Sequence, residues 1–553
     1  MQFLAFLLSL STVTASGLCP VLGPVFPPVK SLHDATTLHT AFNKTQLQLD
    51  DAFRTGNSSK GPISPNRTYS LEIFSASDAK PLFEYHHRGA NLVNTTGPIG
   101  GDSVYRVGSF TKLLTIYLLL LEAGDGILHE PVTKYLPELK GKDDWDEMTV
   151  GALASHLGGL AADCKSLDYM DATEGSPGGL SPDGGFPQLP KNEQSPCVFN
   201  ETHCSRAEVL KAVRARPRTY LPYTTPAYSN TGFVLLGMIL ETVAGKSYED
   251  VLQSALVEPL HLKGTTSSIP KSVAGGVIIS DPTSSGWYAD FRGITAMGGA
   301  FSSTHDLATI GRSILASSLL PSNTTRAWLK PATFTSSLTG GVGMPWEIYR
   351  ASLDAKNNRV VDIYTKGGEV GVYTAILALM PDYDVGFAVA MASEVGETPY
   401  PLNDLIVETL LPALEEVGRE QAHARFAGTY TATNINSTIT LSTSPGKSGL
   451  KIDRWISNST NDIVKAFGDP EDFRAYFTNV ESEDGKEVHW RANSGFTDGG
   501  EGNGPFTSCQ TWLNVDRPTW GLYGLDDFTF HLGKDGKVDR LEVKALKVVL
   551  EKQ

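Results

Sequence analysis

A serine and a lysine close together in the chain are the pair best suited to covalent chemistry. Ser109 and Lys112 lie in the segment GSFTK, directly before an apolar run that ends at Gly124. The run predicts a buried helix with Ser109 at its N-terminus, so both side chains share one helix face. The unpaired N–H groups of the first turn suit an oxyanion. The segment therefore predicts an activated nucleophile, although a capped core helix would show the same residues.

Two later segments carry polar side chains next to predicted secondary structure. Tyr228 and Asn230 precede an apolar helical run over residues 233–240, and from an extended loop they point the same way. Lys366 begins the segment KGGEVG inside a strand-like run. Glycines there allow a ligand or another backbone to approach closely. Each segment means little alone, and their order along the chain carries the interpretation.

Together, in this order and at these separations, the three segments resemble the serine β-lactamase and penicillin-binding-protein family. The match is to the branch with class C β-lactamases, D-Ala-D-Ala carboxypeptidases, esterases and acyltransferases. It continues in YRVGS before the serine, SHLGGL over 155–160, MGGAFSSTHDL over 297–307 and PDYDVGFAV over 381–389. The resemblance covers about residues 69–415. It implies an α/β (α+β) fold, in which a β-lactamase/transpeptidase-like antiparallel sheet is flanked by helices and a helical subdomain.

The chain is predicted to have four parts. Residues 1–17 are predicted to be a signal peptide, 18–68 an N-terminal extension and 69–424 the catalytic domain. Residues 425–553 are strand-rich and resemble the lipocalin-like antiparallel β-barrel appended to several family members. We expect Trp512, Trp520 and Tyr523 to fill the core of this barrel rather than to line a pocket.

The resemblance implies a role for each polar residue. Ser109 would attack a carbonyl carbon, while Lys112 and Tyr228 move its proton and protonate the leaving group. Two nearby ammonium groups, Lys112 and Lys366, would lower the pKa of the tyrosine toward the working pH. Asn230 would orient the substrate or Lys112. No metal and no organic cofactor is implied.

The third segment departs from the family pattern. Family members have Lys-Thr-Gly or His-x-Gly where this sequence has Lys366, Gly367 and Gly368. The missing hydroxyl is the group that helps to hold the substrate carboxylate in β-lactamases. Glu369 adds negative charge, although a neutral packing role for it stays open. Its backbone N–H is expected to form the oxyanion hole together with that of Ser109.

These features favour a serine hydrolase or acyltransferase acting on a small-molecule ester or amide. One alternative is a true β-lactamase or D-Ala-D-Ala peptidase, which needs a carboxylate site that the third segment does not obviously supply. Another is a binding protein on the same fold that has lost catalysis, and the joint presence of Ser109, Lys112, Tyr228 and Lys366 counts against it. The substrate and the acyl acceptor, water or an alcohol, stay open.

Composition and targeting features indicate a secreted protein. A net charge of -15 without a basic stripe argues against a nucleic-acid partner. The apolar start of the chain is followed by small residues, as in secretory signals, and no later run reaches the roughly 20 apolar residues of a membrane helix. The oligomeric state stays open. Eight Asn-x-Ser/Thr sequons agree with export: Asn43, Asn57, Asn66, Asn94, Asn200, Asn323, Asn436 and Asn458.

Two further expectations concern cysteine and histidine. Cys197 and Cys204 are the nearest pair among five cysteines and are predicted to form a local disulfide, whereas the pairing of Cys19, Cys164 and Cys509 stays open. His156, between a helix and a Gly-Gly turn, is expected to be a packed, hydrogen-bonded structural residue. The loop over residues 171–196 is expected to be an insertion near the mouth of the site.

Overall fold

The computed structural model describes residues 20–92, 98–142, 144–163, 185, 187, 205–279, 281–354, 359–393, 398–494, 509–534 and 536–553. The α-helices of this part of the chain are α1 Thr36–Thr55, α2 Thr111–Ala123, α3 Val150–Ala154, α4 Arg206–Ala215, α5 Asn230–Ala244, α6 Tyr248–Leu252, α7 Glu258–Leu260, α8 Thr304–Leu315, α9 Ser322–Trp328, α10 Tyr400–Phe426 and α11 Asp462–Lys465. The first strands are β1 Asn57–Ser58, β2 Gly61–Pro62, β3 Thr68–Ser75, β4 Phe83–His87, β5 Val104–Arg106, β6 Phe301–Ser303, β7 Thr333–Phe334, β8 Gly340–Val342, β9 Glu347–Asp354, β10 Arg359–Val370, β11 Tyr373–Met380 and β12 Val385–Ala392. The remaining strands are β13 Gly428–Ala432, β14 Ser437–Ser442, β15 Leu450–Ile456, β16 Arg474–Glu481, β17 Glu487–Asn493, β18 Thr519–Trp520, β19 Tyr523–Gly524, β20 Asp527–Leu532, β21 Val538–Val543 and β22 Val548–Lys552.

An eight-stranded antiparallel sheet in the order β4-β3-β12-β11-β10-β9-β8-β7 forms the centre of the first domain. Alternate residues of its inner strands point to opposite faces, and each face is covered. Phe74 and Leu377 pack with α2 and α5 on one side, whereas Ile73 and Ile376 pack with α1 and α10 on the other. The sheet is therefore buried on both faces. This arrangement confirms the predicted fold class.

The apolar run after Ser109 forms α2, and it is enclosed on all sides. Every residue from Thr111 to Leu120 is buried. The helix ends at Gly124, which has φ 69° and donates its N–H to the Leu120 carbonyl at 2.9 Å. A helix that is apolar all round must lie inside a protein. The central location of α2 fixes the serine turn at its N-terminus with respect to the sheet.

The C-terminal strands form a closed antiparallel barrel in the order β13-β14-β15-β16-β17-β20-β21-β22, and β22 pairs with β13. Trp490 and Phe530 are fully buried inside it. The sequence predicts a final hairpin with its turn at residues 535–536, and the antiparallel pair β20 and β21 confirms it. The sequence predicts a C-terminal antiparallel β-barrel correctly, while the likeness to lipocalins stays a prediction.

The expectation that three aromatic residues fill this barrel is wrong. Trp512 is 73% exposed, Trp520 71% and Tyr523 50%. They belong to the connection between β17 and β20, where Trp520 and Tyr523 pair with each other in the small β18–β19 hairpin outside the barrel ladder. Strand-forming aromatic residues look alike in a core and in such a hairpin, so the sequence pattern did not separate the two.

The start of the described chain is attached to both domains. Val25 and Phe26 pack with barrel residues. The Gly23 carbonyl accepts a hydrogen bond from the buried Arg359 guanidinium at 3.0 Å. None of the helices in the described ranges has the length and apolar character that crossing a membrane requires. The predicted signal peptide lies outside the described residues, as do Asn94, Asn200 and the pair Cys197 and Cys204.

Candidate active site

Ser109 lies in a 3-10 turn, Gly108–Phe110, that joins β5 to α2. Gly108 has φ 50°, and a Cβ there would lie 2.4 Å from the backbone nitrogen of Glu369. The positive φ favours glycine, and the close approach leaves no room for a Cβ. The Thr111 hydroxyl donates to the Gly108 carbonyl at 2.7 Å and fixes the turn. The serine is therefore held where α2 meets the end of β10, and it keeps part of its surface open.

The Lys112 amine has no exposed surface and is surrounded by oxygen atoms. Its Nζ lies 2.9 Å from Ser109 Oγ, 2.6 Å from Asn230 Oδ1 and 2.5 Å from the Met297 carbonyl. Burial lowers the pKa of Lys112 well below its usual value, and the positive charge of Lys366 lowers it further. Both effects favour the neutral amine.

The three contacts of Lys112 match the protons of a neutral amine. The Asn230 and Met297 oxygens can only accept, so they take the two N–H groups of an amine. The nitrogen lone pair is then left for the Ser109 hydroxyl proton, across the 2.9 Å contact. In the resting site the geometry therefore suits Lys112 as a base toward Ser109.

Asn230 is the first residue of α5, and a hydrogen-bond chain fixes its orientation. The preceding Ser229 caps the helix by accepting the Gly232 N–H at 3.0 Å. Asn230 Nδ2 donates to Asp163 Oδ1 at 2.9 Å, which turns the amide oxygen toward Lys112. Asp163 did not emerge from the sequence analysis. It follows the predicted SHLGGL segment closely, but only the fold brings it to Asn230.

His156 holds Tyr228 in place by hydrogen bonds to the residues on either side of it and by stacking on its ring. The His156 carbonyl accepts the Ala227 N–H at 2.9 Å, and its Nδ1 accepts the Ser229 N–H at 3.1 Å. The two rings stack with centroids 4.5 Å apart. Burial, followed by the charges of Lys112 and Lys366, lowers the pKa of His156 well below its usual value. The ring is a neutral, packed, hydrogen-bonded residue, as expected from the sequence.

The predicted lowering of the Tyr228 pKa is wrong in direction. Two lysine nitrogens do face its ring, with Lys112 Nζ 4.9 Å and Lys366 Nζ 5.6 Å from the centroid. Although the residue is 44% exposed, burial of its hydroxyl is the largest effect and raises the pKa, while Lys366 opposes it. Tyr228 is therefore protonated in the resting site, and Lys112 is the better resting base.

Lys366 is 1% exposed, and its ammonium is already paired within the protein. Nζ donates to Glu347 Oε1 at 2.7 Å and to the Gly367 carbonyl at 2.5 Å. Burial alone would lower the pKa of Lys366, but the Glu347 carboxylate and the Tyr228 oxygen outweigh it and raise this pKa. Glu347 stands in none of the three segments that carry the family pattern. A hairpin pairing of the segments before and after residue 356 would have placed it opposite Thr365.

The backbone of β10 passes directly over the serine turn. A Cβ on Gly368 would lie 2.1 Å from the Val107 carbonyl oxygen and 2.5 Å from the Ser109 nitrogen. The backbone nitrogens of Ser109 and Glu369 therefore lie on opposite sides of one narrow gap. The Glu369 side chain itself is exposed. Donors from a helix N-terminus and a strand at such a crossing suit a developing negative oxygen.

A cavity of about 600 Å³ opens beside this group of residues. Tyr228 and Glu347 lie on its wall, next to His156, and Trp346 and Phe334 add apolar surface. Its size suits a small organic molecule. Within the described ranges, no group of three or more histidine, cysteine, aspartate or glutamate residues is arranged to hold a metal ion.

Comparison with known families agrees with the geometry. Residues 78–410 match the Beta-lactamase family. This chain belongs to that family. Residues 418–553 match a second family, described as Beta-lactamase-like-like, C-terminal domain.

Two relatives match most of the chain. A beta-lactamase-like protein of Arthroderma benhamiae is 31% identical over 487 residues, covering 84% of this chain and 80% of that protein. A probable hydrolase of Phoma sp. is 30% identical and covers 76% of this chain and 71% of that protein. Among solved structures, the D-amino acid amidase of Ochrobactrum anthropi SV3 is 21% identical with a TM-score of 0.50. It covers 68% of this chain and 99% of its own length, and it shows the fold.

Proposed function

We propose that this beta-lactamase-family protein is a secreted serine hydrolase or acyltransferase acting on a small ester or amide through an acyl-enzyme on Ser109. The observation that carries the proposal is the contact between Ser109 Oγ and a buried Lys112 amine whose pKa is lowered. A lysine held only as a structural cation would keep its charge. Membership of a family that includes a probable hydrolase at 30% identity supports the same reaction class.

In the acylation step, Ser109 Oγ forms a bond to the carbonyl carbon and its proton passes to Lys112 Nζ. The carbonyl oxygen becomes negative and is stabilised by the Ser109 and Glu369 N–H groups, a contribution of about 3 kcal/mol per donor in other enzymes. The bond to the leaving group then breaks, and the leaving oxygen or nitrogen takes a proton from Tyr228 or Lys112. The electron pair of the broken bond leaves with that atom.

The acyl group then leaves the serine by the reverse sequence. Water or an alcohol gives its proton to the neutral Lys112 or to the deprotonated Tyr228 and bonds to the acyl carbon. The Ser109 ester bond breaks, and Oγ recovers a proton. Asn230 holds Lys112 in place through both halves of the reaction by its link to Asp163. The two acceptors differ only in the second substrate, so one site serves hydrolysis and transfer.

Export is the second part of the proposal. All six sequon asparagines in the described ranges are exposed, so glycan transfer would meet no packed side chain. They lie on α1, in the β1–β2 hairpin, before β3, on α9 and beside the barrel strands β14 and β15, and none lines the cavity. These positions support a glycosylated extracellular protein.

Replacement of the serine tests the reaction class. Ser109→Ala should lower kcat/KM for short-chain p-nitrophenyl esters by at least about 10³-fold. Its melting temperature should stay close to that of the wild type, because the lost hydroxyl is partly exposed and its contacts are with the site residues Lys112 and Tyr228. Ser272→Ala, at an exposed serine away from these residues, is the control. Full ester turnover by Ser109→Ala would refute the proposal, and fast wild-type hydrolysis of a chromogenic cephalosporin would favour the β-lactamase alternative.

A further inference from the structure

The carboxylate of Glu347 occupies both donors that an incoming anion would meet at the third segment. Glu347 is the first residue of β9 and pairs with Thr365 of β10. Its Oε1 accepts from Lys366 Nζ at 2.7 Å, and its Oε2 accepts the Gly367 N–H at 3.0 Å. The lysine side chain is 1% exposed and the glutamate side chain 36% exposed. The negative end of this pair therefore faces the site, and the positive end is enclosed.

The Glu347 carboxylate lies next to Gly367, the residue that has no side chain where other family members carry threonine. A Cβ added to Gly367 would lie 3.4 Å from Glu347 Oε2, at the limit of ordinary contact. The glutamate oxygen thus lies beside the place where a middle threonine would begin. Gly367 therefore leaves room for the Glu347 carboxylate to accept its N–H group.

The charges around the site show what this arrangement does. Lys366 is buried and charged, and alone it would make this end of the site attractive to an anion. Asp163 and Glu347 are the acidic groups that act on Lys112, and Glu347 is the one that pairs with Lys366. Because Glu347 is only partly exposed and lies against the buried Lys366, a substrate carboxylate placed beside it would be repelled.

The cavity wall also carries negative charge, like the exposed end of the Glu347–Lys366 pair. Among its lining residues in the described ranges, Glu347 is the acidic one, no lysine or arginine is present, and His156 is neutral. A substrate that extends into the cavity from Ser109 therefore meets one negative group and no free positive group. Apolar surface from Trp346 and Phe334 suits an uncharged chain.

We propose that Glu347 is a specificity-determining residue, an internal carboxylate that closes the anion site at Lys366 and restricts the enzyme to acyl substrates without a carboxylate near the scissile bond. This inference rests on the serine acyl-transfer function proposed above. It replaces the exposed Glu369 with the ion-paired Glu347 as the main source of discrimination.

A matched pair of esters tests the inference. The p-nitrophenyl esters of butyric acid and of succinic acid have the same acyl length, and only the second carries a free carboxylate. Wild-type kcat/KM should favour the butyrate by about tenfold or more, and Glu347→Gln should raise the ratio of succinate to butyrate turnover by about tenfold or more. Glu483→Gln, at an exposed barrel residue, removes the same charge and should leave this ratio unchanged. An unchanged ratio in Glu347→Gln, or a larger change in Glu369→Gln, would overturn the inference.

A second measurement on the wild type does not depend on how the variant folds. Phenylboronic acid and 3-carboxyphenylboronic acid both form reversible adducts with an active serine. The concentration of phenylboronic acid that halves butyrate turnover should be at least about tenfold lower than that of 3-carboxyphenylboronic acid. Equal inhibition by the two compounds would contradict the inference. Wild-type protein that turns over no ester and binds no boronic acid would refute the proposed function and this inference with it. Ester turnover with equal inhibition would refute the inference alone.

Discussion

Lys112 has chemistry different from that of a lysine in water because oxygen atoms replace the solvent around its amine. Burial and the charge of Lys366 lower its pKa, whereas Asp163 and then Glu347 raise it. The balance favours the neutral amine, and the 2.9 Å contact places its lone pair next to Ser109 Oγ. The proposed acylation step depends on this neutral amine.

Two variants should move the pH dependence of acylation in opposite directions. Only the neutral Lys112 accepts the serine proton, so kcat/KM rises as pH rises through the pKa of Lys112. Lys366→Met removes a charge that lowers this pKa, so the acidic limb should move to higher pH. Asp163→Asn removes a charge that raises it, so the limb should move to lower pH. Profiles of a neutral ester between about pH 5 and pH 10 measure both shifts.

The position of each limb is the readout, because either variant also lowers the maximum rate. Asn at residue 163 can still accept from Asn230 and keeps the side-chain volume, which limits structural effects. Limbs that move in the same direction, or that stay at the wild-type position, would contradict the assignment of Lys112 as base.

The sequence predicted those site residues whose partners are near in the chain or carried by the family pattern. Ser109 and Lys112 are one helical turn apart, so their contact follows from local geometry. Asp163 and Glu347 meet their partners only through tertiary folding, and neither stands in a recognisable segment. The pKa direction of Tyr228 was wrong for a related reason. The sequence shows nearby charges, whereas burial is visible only in the fold.

Among the secondary-structure elements, the crossing of β10 over the start of α2 determines the site. Two neighbouring glycines of β10 have different surroundings there. A Cβ on Gly368 would lie within 2.5 Å of backbone atoms of Val107, Phe110 and Ser109. A Cβ on Gly367 would meet only the Glu347 side chain at 3.4 Å and the Ala375 carbonyl at 3.9 Å. The strand can therefore approach the helix at one glycine and not at the other.

Alanine at these two positions should have unequal effects. Gly368→Ala forces the strand away from the serine turn, so we expect a loss of about 1–3 kcal/mol in the free energy of unfolding and loss of ester turnover. Gly367→Ala should keep a melting temperature near that of the wild type and retain turnover. Thermal unfolding and ester kinetics on both variants measure the difference. Equal melting temperatures and equal rates would show that the close approach is not needed.

The secondary-structure elements that the sequence predicts correctly are those with a strong periodic pattern of apolar residues. The sequence predicts helices over residues 36–53 and 402–423, and these segments form α1 and most of α10. Alternating patterns predict paired antiparallel strands around Leu71 and Phe83, and these form β3 and β4. The β9–β10 pairing was not predicted, and Trp512, Trp520 and Tyr523 were expected in the barrel core although they lie in the connection between β17 and β20. Strand pairing and strand facing both depend on contacts distant in sequence.

In the whole molecule, a domain of the Beta-lactamase family is followed by an eight-stranded barrel. The buried Arg359 contributes to their arrangement by binding the N-terminal Gly23 carbonyl and the Asp382 carboxylate at 2.8 Å. The helix α10 leads directly from the Beta-lactamase-family domain into β13. Ala422 and Phe426 at its end pack into the barrel core.

Export makes a prediction about the mature protein. Expressed in a eukaryotic secretory host, the chain should appear in the medium with its N-terminus near Ser16 to Cys19. It should also lose mass on treatment with an N-glycosidase, because its described sequon asparagines are exposed. N-terminal sequencing and intact mass before and after the enzyme provide the measurement. Retention of Met1 in the isolated protein, or an unchanged mass, would show that the secretory interpretation is wrong.

The central claim is that Ser109 forms a covalent acyl intermediate. Its most direct test is rapid acid quenching of the protein during turnover of a slow p-nitrophenyl ester, followed by intact mass and peptide mapping. The account predicts a mass increase equal to one acyl group, located on the peptide that contains Ser109 and absent from Ser109→Ala. An acyl group found on another residue, or retained in equal amount by Ser109→Ala, would contradict it.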